Sequence, residues 1–337
     1  MQCFSVKRGE ISMVFKTLPS SQKITSLTLG HGANQRDRMF AAMGPQIAGY
    51  SKVGKEFFKF NTQVTEQITA VHVHEKTIWS SAEYVHNEYL EGKDKAFFLC
   101  PDRINDAQVF PLVSPQEYLP VLACQDRHIR VLRGKDVVLD VPTQGAPMAL
   151  IHNPTPHDLQ GRFQGFQELL YSTENGQLHQ LMCDRNGTRQ GFTLANPKKS
   201  GAIKAVYSGV DLTKTGVNDV VVGREDGLFE VYDMDETGSL QQVFSTKLPE
   251  SINTIDGGFV TTVNTQEVVL QTFTGKVLTY SPPGGGMIVE GLSKNMKGTQ
   301  SMRAEDQERL AGYQNQISRL QTELEGLRVQ VESEKEK

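Results

Sequence analysis

Two segments of the sequence place oxygen-bearing or glycine residues at spacings that metal ions or nucleotides require. Residues 211–219, DLTKTGVND, put oxygen-bearing side chains at alternate positions and an acid at the ninth, which is the layout of a calcium loop. Calcium loops of useful affinity carry several carboxylates, but Thr213 and Thr215 replace two of them and Lys214 adds a positive charge. Asp211 and Asp219 are therefore the candidate metal ligands, and the pattern favours a metal-free loop in which Asp219 bonds the turn.

Residues 49–56, GYSKVGKE, match the first seven positions of a phosphate-binding loop. The eighth position must be Ser or Thr to hold magnesium, and a helix must follow to present its N-terminus to phosphate. Glu56 occupies the eighth position and a strand-like run, FFKF, follows it. The segment therefore does not predict nucleotide binding, and no cofactor is predicted for the chain.

His72 and His74 alternate along one predicted strand and could place two imidazoles on the same face. A metal site would need a third ligand, for which His86 is the nearest candidate in sequence. A solvated strand face is the favoured interpretation. The sequence contains no ordered Ser-His-Asp set and no isolated reactive cysteine, although residues scattered along a chain can converge in a fold.

The elements that must position these loops are β-hairpins. A clear example is DVVVGREDGLFEVY, residues 219–232. An apolar run predicts a buried strand, Asp226-Gly227 predicts a two-residue hairpin turn with positive φ, and an alternating run predicts the returning strand. The pattern recurs roughly every 40 to 50 residues, which is the length of a four-stranded propeller blade. Its turn landmarks are Gly44, the region of Val85, Asp126, Gly176, Gly227 and Gly275.

The recurrence predicts an all-β fold, a seven-bladed β-propeller whose first blade is incomplete, over residues 1–281. Two tandem β-sandwiches are the alternative, but the one loop suited to a boundary, residues 152–166, does not interrupt the repeat. The first blade has only two predicted strands, around a turn at residues 7–10. Either another segment closes the ring, or the chain is a shortened version of its relatives.

A different pattern begins after the Pro- and Gly-rich stretch SPPGGG at residues 281–286. Residues 282–302 predict a flexible linker, and residues 303–337 predict an α-helical coiled-coil segment. Its apolar residues are spaced 3 and 4 apart, as the a and d positions of a heptad require. One narrow apolar stripe on a helix needs a partner helix to cover it. The predicted seam consists of Leu310, Tyr313, Ile317, Leu320, Leu324, Leu327 and Val331.

Net charge, cysteine spacing and the length of apolar stretches limit which partners and which cellular compartment are expected. The net charge is −4 with 22% charged residues, and no basic stripe is present, so nucleic acid is excluded as an expected partner. The four cysteines are widely scattered, which disfavours a disulfide framework or a zinc cluster. No apolar stretch long enough for a signal peptide or a membrane span occurs, so a soluble cytoplasmic protein is expected.

A set of short segments occurs along the chain in the order FKTLP (15–19), YVHN (84–87), RIND (103–106), LACQDR (122–127), GVND (216–219) and PESI (249–252). Together they resemble the N-terminal region of the Bardet-Biedl syndrome protein 7 family, over essentially residues 1–335. Family members begin with further strands before the segment that matches Met1, and continue past the helix into domains that are absent here.

The resemblance implies a seven-bladed propeller followed by a coiled coil, in a non-enzymatic subunit of the BBSome, the coat-like complex that carries membrane proteins in and out of cilia. It implies that the seam pairs with a related subunit, Bardet-Biedl syndrome protein 2, and that the other BBSome subunits and ciliary membrane cargo are partners. The implied locations are the cytoplasm, the cilium, the basal body or centrosome, and the ciliary membrane through the complex.

The leading hypothesis is therefore a scaffold whose propeller makes protein contacts and whose helix directs heterodimer assembly. The alternative is a propeller enzyme or ligand-binding propeller that uses the central channel. That alternative needs several Asp, Glu or His residues on the inner strands. The predicted inner strands instead carry Thr25, Thr69, Asn105, Lys204 and Asn253.

Overall fold

The computed structural model describes residues 1–7, 10–20, 22–32, 37–154, 165–184, 187–234, 239–261 and 265–282. Within these ranges the regular elements are 25 β-strands. They are β1 (Gln2–Lys7), β2 (Glu10–Lys16), β3 (Ile24–Leu29), β4 (Arg38–Met43), β5 (Gln46–Ser51), β6 (Glu56–Asn61), β7 (Ala70–His74), β8 (Thr77–Ser81), β9 (Val85–Leu90), β10 (Lys93–Leu99), β11 (Ile104–Ser114), β12 (Glu117–Cys124), β13 (His128–Arg133), β14 (Asp136–Pro142), β15 (Pro147–Asn153), β16 (Phe166–Thr173), β17 (Leu178–Asp184), β18 (Gly187–Leu194), β19 (Ile203–Val210), β20 (Asp219–Arg224), β21 (Leu228–Met234), β22 (Leu240–Lys247), β23 (Ile252–Gly258), β24 (Glu267–Thr272) and β25 (Val277–Tyr280).

These strands form six propeller blades, each an antiparallel meander of strands consecutive in sequence. Blades 1 to 5 have four strands each, β3–β6, β7–β10, β11–β14, β15–β18 and β19–β22, and blade 6 has three, β23–β25. The first strand of each blade is the inner one, and the inner strands of consecutive blades contact one another from β3 to β23. No helix long and apolar enough to cross a bilayer is found in the described ranges.

The prediction of an all-β propeller is confirmed, but the prediction of seven blades is wrong. The strands expected to make the incomplete first blade, β1 and β2, pair only with each other among the described residues. Most of β2 is exposed, including Ile11, Met13 and Val14, and only Phe15 is half-buried. A blade requires inner strands buried on both faces, and a two-stranded hairpin cannot supply them.

The hydrophobic core lies between the blades rather than within any one of them. Because side chains alternate along a strand, each blade presents one apolar face to the blade before it and one to the blade after it. Five clusters of buried residues fill the five junctions from blade 1 to blade 6. Between blades 5 and 6, for example, the ring of Phe229 on β21 packs beside the ring of Tyr280 on β25, with centroids 4.8 Å apart.

The turn between the second and third strands of a blade is the landmark that the sequence revealed. In blade 5 the Gly227 amide donates to the Arg224 carbonyl over 3.1 Å, and Gly227 has φ of 83°. Asp226 does not take a positive φ, so the predicted two-residue turn is wrong and the connection is a four-residue turn that ends on glycine. Gly176 and Gly275 close the equivalent turns of blades 4 and 6 with the same hydrogen bond.

Replacing Gly227 with alanine is expected to destabilise the fold more than the same change at Gly275. Both residues have a left-handed φ, of 83° and 88°, which costs alanine about 1 kcal/mol or more. A Cβ on Gly227 would also lie 2.3 Å from the Leu248 carbonyl oxygen, whereas on Gly275 its nearest neighbour is 3.8 Å away. Urea unfolding of both variants measures the difference, which we expect to exceed about 1 kcal/mol. Equal losses would contradict the tight approach of residue 248 to this turn.

Candidate functional site

The predicted coiled-coil seam lies outside the described residues, as do residues 283–302 of the predicted linker. The domain boundaries at 281 and 302 and the interaction role of the seam therefore stay predictions. They concern Leu310, Tyr313, Ile317, Leu320, Leu324, Leu327 and Val331.

The loop of residues 211–219 joins the inner strand β19 of blade 5 to β20. Its two aspartate carboxylates accept hydrogen bonds from amides of the same loop. Asp219 Oδ2 accepts hydrogen bonds from the amides of Leu212 and Thr213, at 2.6 and 2.9 Å. Its Oδ1 accepts from the Thr213 hydroxyl over 2.9 Å. At the other end, the Asp211 carboxylate accepts from the amides of Thr215 and Gly216, at 3.0 and 2.9 Å.

Burial distinguishes the two aspartates of this loop. Asp219 is fully buried, and its burial raises the pKa of the carboxyl against the opposing effect of its hydrogen bonds to Thr213. The hydroxyls of Thr213 and Thr215 lie 3.4 and 3.3 Å from Asp233 Oδ1, on the neighbouring strand β21. Across the residues that the structure describes, no three His, Cys, Asp or Glu side chains are grouped as a metal site would need. What the geometry shows is a turn held by Asp219.

The histidines on β7 make contacts with the next blade instead of facing solvent, so the solvated-face interpretation is wrong. His72 Nε2 lies 2.8 Å from the Ala107 carbonyl of β11, and burial lowers its pKa to about 4. The ring of His74 stacks on Tyr118 with centroids 3.6 Å apart. His86 is buried on β9, where its Nδ1 lies 2.8 Å from the Ser81 hydroxyl, and burial lowers its pKa to about 3. These rings are neutral near pH 7 and serve blade packing.

The segment that resembles a phosphate-binding loop is the hairpin between β5 and β6. Gly54 donates to the Ser51 carbonyl over 2.8 Å, and the Ser51 amide donates to the Lys55 carbonyl over 2.9 Å. Strand β6 begins at Glu56, where a phosphate site would need the first turn of a helix. The amides of Ser51, Gly54 and Lys55 are thus used by the turn, the last by donating to the Ser51 hydroxyl over 3.2 Å.

Polar residues of the inner strands connect neighbouring blades. The Thr25 hydroxyl donates to the Ile68 carbonyl over 2.6 Å, and Asn105 Nδ2 donates to the Pro147 carbonyl over 2.9 Å. The Asp106 carboxylate accepts from the Leu150 amide of blade 4 over 2.7 Å and from the adjacent Ala107 amide over 2.8 Å. Five polar residues were predicted on the inner strands. Two of them, Thr25 and Asn105, therefore form hydrogen bonds that join neighbouring blades.

Asp106 gives the junction of blades 3 and 4 a predictable pH dependence. Burial raises its pKa to about 6, although its two backbone hydrogen bonds oppose the rise. A raised pKa stabilises the folded state below the unfolded value near 4, and this stabilisation is lost as the pH rises through about 6. We expect Asp106→Asn to be clearly less stable than the wild type at pH 5 and closer to it at pH 7.5. Thermal unfolding of both proteins at the two pH values checks this, and a constant difference would contradict it.

The surface feature that sequence reasoning missed is a groove between blades 2 and 3, of about 770 Å³. One wall comes from β8, β9 and β10 and the other from β12 to β14. Its lining includes Trp79, which is 5% exposed and thus a core residue. Phe97 stands at the rim with 66% of its surface exposed, and Leu99, two residues on, is 65% exposed.

Four of the six charged side chains that line this groove form ion pairs. Lys95 Nζ lies 2.6 Å from Glu88 Oε1 on the blade 2 wall, and Arg133 Nε lies 2.7 Å from Glu117 Oε1 on the blade 3 wall. The groove surface therefore combines apolar side chains such as Phe97 with charged ones. The signal in the sequence was the alternation in β10, where Phe98 packs into the core and Phe97 and Leu99 face outward.

Six blades packed face to face, with inner strands joined by hydrogen bonds from one blade to the next, define a β-propeller. A family model described as BBS7 beta-propeller matches residues 1–281. The mouse protein called BBSome complex member BBS7 is 36% identical over 336 residues, which cover 99% of this chain. The chain belongs to the BBS7 propeller family.

The chain spans less than half the length of the curated relatives it matches. It covers 44% of the mouse protein and 39% of the Caenorhabditis elegans protein called BBSome complex member bbs-7, which is 26% identical over 295 residues. Among solved structures, the crystal structure of BBS1N in complex with ARL6DN has a TM-score of 0.54 and 16% identity, covering 77% of this chain and 76% of that one. At this identity the likeness concerns the fold alone.

Proposed function

We propose that this chain is the propeller region of a non-catalytic scaffold subunit of the BBSome. The observation that carries the proposal is the 36% identity to mouse BBSome complex member BBS7 over 99% of the chain. Polar side chains of the inner strands, such as Asp106 and Asn105, form hydrogen bonds between blades. This use of the side chains favours a rigid scaffold over a central channel with reactive groups. The groove between blades 2 and 3, which combines exposed Phe97 with charged side chains, supplies a surface for a protein contact.

The second part of the proposal concerns assembly. The heptad seam at residues 310–331 pairs with a related subunit, Bardet-Biedl syndrome protein 2, and this pairing brings the propeller into the complex. An apolar stripe at a and d positions is stabilised only when a partner helix covers it. Within the complex the chain acts in the trafficking of membrane proteins at the cilium and in cilium assembly. Its locations are the cytoplasm, the cilium and the basal body, with contact to the ciliary membrane through other subunits.

Changing Leu320 and Leu324 together to aspartate is expected to abolish association with that partner. Each leucine withdraws apolar area worth about 2 kcal/mol from water, and each aspartate would place a charge against the seam. We expect affinity to fall about 100-fold or more, since 1.4 kcal/mol corresponds to a factor of ten. Co-purification of the coexpressed subunits and titration calorimetry measure the loss.

The matched control places the same two charges on the opposite side of the predicted helix. Asn315 and Thr322 occupy f positions of the heptad, so Asn315→Asp with Thr322→Asp should leave affinity within a few-fold of the wild type. Survival of the complex in the leucine variant, or equal loss in both, would refute the seam as the assembly site. Affinity capture from ciliated cells followed by mass spectrometry tests the BBSome assignment separately.

A further inference from the structure

Two of the four cysteines meet at the junction of blades 2 and 3. Cys100 directly follows β10, in the segment that leaves blade 2 for the inner strand of blade 3, and Cys124 is the last residue of β12. Their Sγ atoms are 3.3 Å apart, although neither forms a disulfide. Cys100 is 4% exposed and Cys124 is fully buried, and both belong to the core cluster of this junction.

A fixed positive charge lies beside this pair. Arg130 Nη1 is 4.0 Å from Cys100 Sγ, and the guanidinium is held in place by two hydrogen bonds to Asp126, at 2.9 and 2.6 Å. The hydrogen bond with Cys124 lowers the pKa of the Cys100 thiol, and Arg130 adds to this, against the effects of burial and of the Asp126 carboxylate. The same hydrogen bond raises the pKa of Cys124. Arg130 also lowers the pKa of Cys124, so the guanidinium favours a thiolate within the pair. Cys100 is the less buried of the two, at 4% exposed against 0% for Cys124, and is therefore the thiol assigned to meet the oxidant.

We propose that Cys100 and Cys124 form an oxidisable dithiol, which hydrogen peroxide converts into a disulfide that joins the exit of blade 2 to the second strand of blade 3. Three observations carry the inference, namely the short Sγ to Sγ distance, the adjacent guanidinium and the position of Cys100 next to the exposed Pro101. The assignment is independent of the proposed BBSome role.

The chemistry proceeds in two steps. The Cys100 thiolate attacks one peroxide oxygen, the sulfur–oxygen bond forms, the oxygen–oxygen bond breaks, and the departing hydroxide takes a proton to become water. Cys124 sulfur then attacks the Cys100 sulfenic acid, the sulfur–sulfur bond forms, and the hydroxyl leaves as a second water with the Cys124 proton. Both thiols are oxidised and one peroxide is reduced to two waters.

The disulfide would connect residues that are 24 positions apart and belong to different blades. A crosslink of this kind restricts the unfolded chain, so the oxidised protein should be more resistant to unfolding. Reduction by a thiol would restore the starting state, because the reaction stops at the disulfide. The junction of blades 2 and 3, which also forms the groove described above, is therefore the part of the propeller whose stability responds to oxidant.

The test treats the reduced full chain with a few equivalents of hydrogen peroxide near pH 7.5, followed by alkylation in denaturant and peptide mass spectrometry. We expect a peptide pair linked through Cys100 and Cys124 as the main product, its disappearance with dithiothreitol, and a rise in Tm of about 5 °C on oxidation. The same treatment in urea should give less of this pair, because the folded chain brings the sulfurs together.

Two alanine variants complete the design. In Cys124→Ala the reaction should stop at the Cys100 sulfenic acid, which dimedone traps. The matched control is Cys183→Ala, which removes a buried thiol from the junction of blades 3 and 4 and should leave the linkage unchanged; burial raises the pKa of Cys183 to about 12. Recovery of Cys100 and Cys124 as alkylated thiols in the oxidised wild type, or equal linkage in native and denatured chains, would overturn the proposal even if a variant fails to fold.

Discussion

Replacing Glu230 with leucine is expected to lower the free energy of unfolding by about 3–5 kcal/mol. Glu230 and Arg224 form a buried ion pair in blade 5, with Arg224 Nε 2.6 Å from Glu230 Oε2 and side chains that are 3% and 9% exposed. Leucine removes the negative charge and leaves the guanidinium buried without its counter-ion. Since a charge in a low-dielectric interior is strongly disfavoured, the cost should be among the largest for a single substitution in this chain.

The double variant separates the charge from the shape of the site. Arg224→Met with Glu230→Leu removes both charges and keeps similar volume, so it should be more stable than Glu230→Leu alone. It should still fall about 1–2 kcal/mol below the wild type, because Arg224 Nη1 also donates to the carbonyls of Gly176 and Gly201, at 2.9 and 3.2 Å. Urea unfolding of the three proteins gives the comparison. A double variant less stable than the single one would show that the pair is not the source of the loss.

The sequence predicted the repeat and its landmarks well, because both are local. An apolar run, a turn residue and an alternating run specify a hairpin over about 14 residues, as at positions 219–232. The turns at Gly176, Gly227 and Gly275 all fall between the second and third strands of their blades, as the repeat required. The all-β class followed from the same signals, since they recur along the chain.

The sequence could not predict which side chains meet between blades. Asp106 binds the Leu150 amide 44 residues later, and Ser208 pairs with Asn153 55 residues earlier. Such contacts depend on the rotation from one blade to the next, which no local pattern encodes. For the same reason the alternation of His72 and His74 favours a solvated strand face, whereas the His72 ring contacts the Ala107 carbonyl of the next blade. The count of seven blades failed because two strands before residue 17 looked like half a blade, whereas a blade needs buried inner strands.

For the candidate sites, hydrogen bonds within one loop could be predicted from the sequence. The surface that two packed blades leave exposed could not. The loop of residues 211–219 was expected to be held by Asp219, and the hydrogen bonds of its carboxylate are local in sequence. The groove between blades 2 and 3 combines Phe97 with residues of β12 to β14, so it exists only once two blades are packed. The alternation of β10 carried a partial signal, because it placed Phe97 and Leu99 on the outward face.

Changing Asp219 to alanine is expected to lower the free energy of unfolding by about 3 kcal/mol. The buried carboxylate accepts hydrogen bonds from the amides of Leu212 and Thr213 and from the Thr213 hydroxyl. Alanine would leave these donors without their acceptor at a fully buried position, which costs more than the loss of the bonds themselves. Urea unfolding measures the loss.

Asp211→Ala is the matched control in the same loop. Its carboxylate also accepts two backbone amides, those of Thr215 and Gly216, but it is half-buried and water can replace it, so the loss should be about 1 kcal/mol. Calorimetry with calcium adds a readout that stability alone does not give. If Asp219 is committed to the turn, millimolar calcium should produce no binding heat and should not raise the Tm of the wild type. Saturable binding that both alanine variants lose would instead make Asp211 and Asp219 ligands, because a metal would then compete with the loop amides for the same oxygens.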